Sequence, residues 1–142
     1  MDRAAPSDTT ADEIRNALAS WLDAFNGRDV DALMAIYDPQ AVYANAAASL
    51  MRGKDEIRPW FENALAGTRA TACFKEEALF SGADLSLIVG KFYTKFAQEG
   101  QDEESGETGR VGLVFRRSEA GSWRLAFDMD NRPPDVDVRD FA

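Results

Sequence analysis

The spacing of apolar residues along this chain changes period near Thr68, and that change decides what it can fold into. Before Thr68 apolar residues recur every three or four positions, and after it every second position, so helices come first and strands follow. Ile14, Ala17, Leu18, Trp21, Leu22 and Phe25 fall at i, i+3, i+4, i+7, i+8 and i+11, the apolar stripe of an amphipathic helix. Thr10 and Glu13 are spaced for a capping box at its start, and Gly27 is placed to end it. Val30, Leu33, Met34 and Tyr37 share one face of a shorter helix that Asp38-Pro39 closes. Ala41-Val42-Tyr43-Ala44 and Leu50-Met51-Arg52-Gly53 read as two short strands. Ile57, Trp60, Phe61, Ala64 and Leu65 then repeat the helical spacing, with Pro59 near the first turn of this third helix and Gly67 at its end.

Beyond Thr68, Phe74, Ala78 and Phe80 mark one face of a long strand. In the next strand Phe92 and Phe96 oppose Lys91, Tyr93 and Lys95, and Gly90 marks an expected bulge where the apolar face switches. Residues 99–107 hold five acidic side chains and no apolar one, and read as a solvated hairpin loop. Val111, Leu113 and Phe115 alternate in a third long strand, and Trp123, Leu125, Phe127 and Met129 in a fourth, joined by the turn Glu119-Ala120-Gly121. The expected fold class is α+β, with three N-terminal helices packed on one face of a curved, mainly antiparallel sheet that encloses a pocket. At 142 residues one core is enough, so one domain over 1–142 is expected, with its ordered core from about 10 to 133. Residues 135–140 read as a frayed acidic tail.

The chain contains no histidine. It therefore has no Ser-His-Asp or Cys-His pair and no histidine-ligated zinc or iron, and metal could bind only through oxygen ligands. No metal site or cofactor is expected. Acid–base chemistry falls to Asp, Glu, Tyr or Lys with a displaced pKa. A net charge of −9, from 25 acidic and 16 basic residues without a Lys/Arg-rich stretch, argues against nucleic acid as a partner. The chain has neither eighteen consecutive apolar residues nor an N-terminal apolar run of signal length, so no membrane association is expected. With the lone Cys73, which cannot form an internal disulfide, this reads as a cytoplasmic protein.

The run Trp21-Leu22-Asp23-Ala24-Phe25-Asn26-Gly27-Arg28-Asp29-Val30-Asp31-Ala32-Leu33, followed by Tyr37, Ala41-Val42-Tyr43 and Arg52-Gly53-Lys54-Asp55-Glu56-Ile57, resembles the opening of the SnoaL-like and ketosteroid-isomerase-like families. The ending Gly121-Ser122-Trp123-Arg124-Leu125-Ala126-Phe127-Asp128-Met129-Asp130-Asn131 is similar to that of a bacterial subgroup of unknown function. The resemblance covers about residues 12–133 and implies the cone-shaped roll of nuclear transport factor 2. That fold hosts isomerases, dehydratases, cyclases, epoxide hydrolases and non-enzymatic binders. Carried over residue by residue, the isomerase's catalytic tyrosine falls on Trp21, its general-base aspartate on Asn45, its protonated aspartate on Leu113 and its supporting tyrosine on Phe61. Every one of these departures removes an ionisable group, so steroid isomerisation by the family mechanism is not expected.

The same resemblance places Ala126, Asp128 and Asp130 on the pocket side of the last strand, and Trp123, Leu125, Phe127 and Met129 on the other side. Two carboxylates roughly 7 Å apart raise one another's pKa when desolvated, which makes Asp128 and Asp130 the candidate catalytic residues. Pairing of Asp128 with Arg124, on the same face, would remove that effect, and solvation at the strand end is the alternative for both. Trp21, Phe25, Tyr43, Asn45, Trp60, Phe61, Leu113 and Phe115 are the candidate pocket residues, the aromatic ones serving equally as core. Cys73 reads as an inert strand residue. Three functions fit these features. The chain is a binding protein or enzyme for a small apolar or ring-containing molecule, or a lyase, isomerase or cyclase with Asp128 as general base, or a non-catalytic dimerisation module. A homodimer through the outer apolar face of the sheet is expected, and catalysis itself is left open.

Overall fold

The helical stripes close over one face of a six-stranded sheet in a computed structural model that describes residues 8–98, 100 and 104–142. In chain order the elements are α1 (Asp8–Asn26), α2 (Val30–Ile36), β1 (Tyr37–Ala44), β2 (Met51–Arg52), α3 (Lys54–Leu65), β3 (Thr68–Phe80), β4 (Leu85–Gln98), β5 (Glu104–Arg117) and β6 (Trp123–Asn131), then a 3-10 turn over Val138–Phe141. The strand order is β2-β1-β6-β5-β4-β3, with β1 and β6 parallel and all other neighbours antiparallel. Ile14, Leu18 and Phe25 of α1, Leu33 of α2 and Ile57 and Phe61 of α3 meet Ala70, Ile88, Phe115 and Leu125 of the sheet in one core. The α+β architecture read from the periodicity is the one observed. Among the described residues no helix is long and apolar enough to cross a membrane.

The ends of the helices depart from expectation. Thr10 and Glu13 lie inside α1, which already runs at Asp8, and the Glu13 carboxylate instead accepts the Trp123 indole N–H at 2.8 Å. At the other end the left-handed residue is Arg28 (φ 55°) and not Gly27. α2 stops at Ile36 and the chain enters β1 without a loop, so Tyr37 has extended backbone and belongs to the strand.

Two one-residue slips in register decide which side chains face inward. In β3, Glu76 lies opposite Gly90 and Ala78 opposite Val89, leaving Glu77 as the extra residue. Phe74 and Leu79 therefore pack on the core while Phe80, expected on the same face as Phe74, turns outward and is 62% exposed. β4 pairs through Gly90 with no slip against β5, so the bulge expected at Gly90 sits on the partner strand. Gly90 is needed for a different reason: a Cβ there would lie 2.5 Å from the Phe74 ring and would also strike the Lys75 carbonyl oxygen.

The second slip is in β6. Leu125 lies opposite Phe115 and Phe127 opposite Val114, so Ala126 is bulged. The set expected on one face is thereby split. Trp123 and Leu125 are buried in the core, Phe127 and the half-exposed Met129 face outward, and the inward face passes to Asp128.

Residues 135–140, expected to fray, pack against the outer face of the sheet. Arg110 of β5 binds Asp135 at 2.9 Å and Glu77 at 2.8 Å, the Thr108 hydroxyl donates to the Val136 carbonyl, and Lys91 of β4 pairs with Asp140 at 3.3 Å. Val136 is buried, and the rings of Phe141 and Tyr93 lie 5.9 Å apart. Of the acidic loop expected over 99–107, residues 99 and 101–103 lie outside the described residues. Glu104 to Glu107 already belong to β5 and pair with β4, where Ala97 faces Glu104 and Thr94 faces Glu107.

Candidate functional site

Between the helices and the inner face of the sheet lies a cavity of about 140 Å³. Small residues leave this room, Ala64 on α3 and Ala72 on β3, where a large side chain would fill the core. Aromatic rings make the walls: Trp21 and Phe25 from α1, Trp60 and Phe61 from α3, and Phe92 and Phe96 from β4. Their orientations are fixed by stacking, Trp21 on Phe25 at 5.0 Å and Tyr43 on Phe61 at 5.7 Å between centroids. A cavity of this volume has room for one six-membered ring.

The polar end of the cavity is built on β6. Asp128 is 5% exposed, and one of its carboxylate oxygens accepts the Tyr37 hydroxyl at 2.9 Å. The Tyr37 oxygen in turn accepts the Trp21 indole N–H at 3.1 Å, which directs its own proton at Asp128. No described residue donates to the second oxygen of Asp128, which is left to the cavity. Burial pushes the Asp128 carboxyl up from an ordinary value near 3.8 to about 7, the Tyr37 hydrogen bond opposing this and the charge of Asp130 adding to it. Burial, with Asp128 beside it, holds the Tyr37 phenol well above its usual range, so it remains a donor.

Tyr43 and Asn45 complete this end. The Asn45 amide oxygen accepts the Ala47 N–H at 2.8 Å, which turns its NH2 group to donate to the Tyr43 oxygen, also at 2.8 Å. No described residue accepts from the Tyr43 hydroxyl. Burial first, and Asp128 second, raise its pKa, so it too stays protonated. Nearer the surface, Asp130 is half-buried and accepts the Ala46 N–H at 2.6 Å. Burial raises its carboxyl above the usual range. At the rim Glu107 and Arg132 form an exposed ion pair at 3.1 Å.

Of the residues expected to form the pocket, Trp21, Phe25, Tyr43, Asn45, Trp60, Phe61 and Leu113 line this cavity together with Asp128 and Asp130. Phe115 does not. It is wholly enclosed in the core opposite Leu125, one step along β5 beyond Leu113, where the cavity has ended. Arg124 does not pair with Asp128, because the bulge at Ala126 separates their faces, and its guanidinium donates to the Ala35 carbonyl. Sequence reasoning missed Tyr37, counted as a helix-face residue. The signal was chemical: a buried tyrosine hydroxyl needs a partner, and a buried carboxylate needs a donor. Arg132 and Glu107 at the rim were missed as well. Trp21, Asn45, Phe61 and Leu113, the four positions where the resemblance placed catalytic groups, all line the cavity without an ionisable side chain. The buried carboxyl that lines the cavity is instead that of Asp128. Among the described residues no group of three or more Cys, Asp or Glu side chains is placed to hold a metal ion.

Comparison with known proteins agrees with this architecture. A model of the SnoaL-like domain family matches residues 14–127. No curated protein sequence matches the chain significantly. Among solved structures, a conserved protein from Planctomyces limnophilus superimposes with a TM-score of 0.81 at 19% identity, over 89% of this chain and 100% of that one. A nuclear transport factor 2-like superfamily protein from Salmonella enterica gives 0.80 at 14% identity, over 92% and 96% of the two chains. A putative dehydratase of the same superfamily from Streptomyces avermitilis gives 0.77 at 15% identity, over 89% and 99%. At such identities the likeness is one of fold.

Proposed function

The chain belongs to the SnoaL-like domain family, and from that premise we propose an enzyme of the lyase, isomerase or cyclase kind that uses Asp128 as general acid–base on a small, ring-containing, largely apolar molecule. The observation that carries this reading is the buried Asp128 carboxyl, tied to Tyr37 through one oxygen and open to an aromatic cavity through the other. A pKa of about 7 suits a group that must both take and return a proton near neutrality. The ring of the substrate lies between the aromatic walls, with an activated C–H against the open oxygen of Asp128. As that bond breaks, the proton passes to Asp128 and the electron pair moves into an adjacent carbonyl, whose oxygen accepts the Tyr43 hydroxyl. Tyr37 keeps the carboxylate oriented throughout.

The test is proton exchange in D2O, followed by NMR on small cyclic ketones as carbon acids. The wild-type protein is expected to exchange the activated position, and Asp128→Asn to slow it on the order of 10²- to 10⁴-fold. Exchange that survives Asp128→Asn unchanged refutes the reading.

A homodimer is the partner we propose alongside. On the outer face of the sheet Leu87, Val89, Val114, Phe127 and Met129 line an apolar groove beside the C-terminal segment, the kind of surface that association covers. Sedimentation at micromolar concentration tests it, and a monomer refutes it. We place the protein in the cytoplasm, in keeping with its single free cysteine.

A further inference from the structure

The charges around the cavity are unevenly matched. Asp128, Asp130 and Glu107 contribute three carboxyl groups to its lining, and Arg132 is the one cationic side chain there. Arg132 is already paired with Glu107 at the rim. Asp130 is left half-buried with a backbone N–H for company and no cation in direct contact among the described residues. The faces of the aromatic walls carry partial negative charge, which favours a cation against them. A carboxylate or phosphate entering this space would meet two carboxyl groups and the rings' negative faces. A wholly neutral molecule would leave Asp130 partly desolvated, with only the charge of Arg132, beyond contact distance, to offset it.

The inner end makes a different demand. Tyr43 and Asp128 both line the cavity, and no described residue accepts from the hydroxyl of the one or donates to the second oxygen of the other. They call for a polar atom on the ligand. Asp128 and Asp130 are two residues apart on one strand face, so their side chains sit roughly 7 Å from each other, the reach from an atom on a six-membered ring to an amine two carbons beyond that ring.

We infer that the substrate is a ring-bearing primary amine, bound as the ammonium ion with its nitrogen at Asp130 and its ring in the aromatic cavity. This rests on the reading of the cavity as the active site and adds to it the charge of the substrate and the residue that selects it. Asp130 is thus a specificity residue, distinct in role from Asp128, and the excess of acidic groups over the whole chain favours approach of a cation.

The experiment compares three probes of equal length, 2-phenylethylamine, 2-phenylethanol and phenylacetate, by calorimetry on the wild-type protein, Asp130→Asn and Glu107→Gln. The amine is expected to bind at least 10-fold more tightly than the alcohol, and phenylacetate more weakly than either. In Asp130→Asn, whose amide oxygen can still accept from Ala46, the amine is expected to lose that advantage while the alcohol is unchanged. Glu107→Gln, which frees Arg132 at the rim, is expected to weaken the amine less than Asp130→Asn does. Alcohol or phenylacetate binding as tightly as the amine overturns this inference and leaves the cavity and Asp128 in their proposed roles. An amine preference that persists undiminished in Asp130→Asn overturns the assignment of Asp130. Failure of all three probes to bind at millimolar concentration overturns both this inference and the reading of the cavity as the active site.

Discussion

Replacing Asp128 by Asn should make the protein more stable at alkaline pH and leave its stability nearly unchanged in acid. In the folded state burial moves the carboxyl from near 3.8 to about 7. The folded protein therefore holds a proton that the unfolded chain has already released, and stability falls as pH rises between those two values. Below about 3.8 both states are protonated and the variant has no advantage. Above pH 7 the full cost of an ionised carboxylate in the cavity is in place, roughly 4 kcal/mol at 1.36 kcal/mol per pKa unit. For a chain of this length that corresponds to a rise in Tm on the order of 13 °C. Asn has the shape of Asp, and its amide oxygen can accept the Tyr37 hydroxyl, so the bond now made at 2.9 Å survives the change. Urea unfolding of both proteins from pH 4 to pH 9 provides the measurement, because groups that titrate alike in the two cancel in the difference. A difference in stability that is flat with pH would refute the claim that the carboxyl is desolvated. A variant that loses stability as pH rises would refute the sign.

Other perturbations probe the neighbouring structure. Tyr37→Phe removes the bond that holds the Asp128 carboxyl down and strands the Trp21 indole N–H; it should cost about 1–3 kcal/mol and move the midpoint of the rate–pH profile upward, read by D2O exchange across pH. Gly90→Ala drives a methyl group into the Phe74 ring and the Lys75 carbonyl, with an expected loss of about 3 kcal/mol by denaturant unfolding; a neutral effect would show that β3 yields there. Val136→Asp places a charge where Val136 is buried against the outer face, and should release the C-terminal segment to limited proteolysis while ligand affinity holds.

The parts of the fold set by repeated spacing were readable in advance. Six apolar positions in α1 at helical intervals leave little freedom, and the alternation of Phe92 and Phe96 with Lys91 and Lys95 fixes which face of β4 turns inward. Single-residue events were not readable. A bulge adds one residue to one strand, and when both faces carry apolar side chains, as in Trp123 to Met129, the pattern looks the same with or without it. Tyr37 was misplaced for a related reason, since α2 passes into β1 with no turn residue to mark the boundary. The pocket rings were legible because covering helices must face the sheet. The Tyr37–Asp128 bond joins residues 91 apart in sequence, and no local pattern carries such a pairing.

The bulge at Ala126 makes β6 a strand read in two frames. Up to Leu125 the odd-numbered side chains are the inward message, and from Asp128 the even-numbered ones are. Closing the bulge with Ala126 paired opposite Val114 would act as a frameshift does in a gene: everything downstream would keep its spelling and change its meaning. Phe127 and Met129 would then fill the cavity, and both aspartates would move to the outer face of the sheet. The protein's chemistry is thus punctuated as well as spelled, and Ala126 is the punctuation.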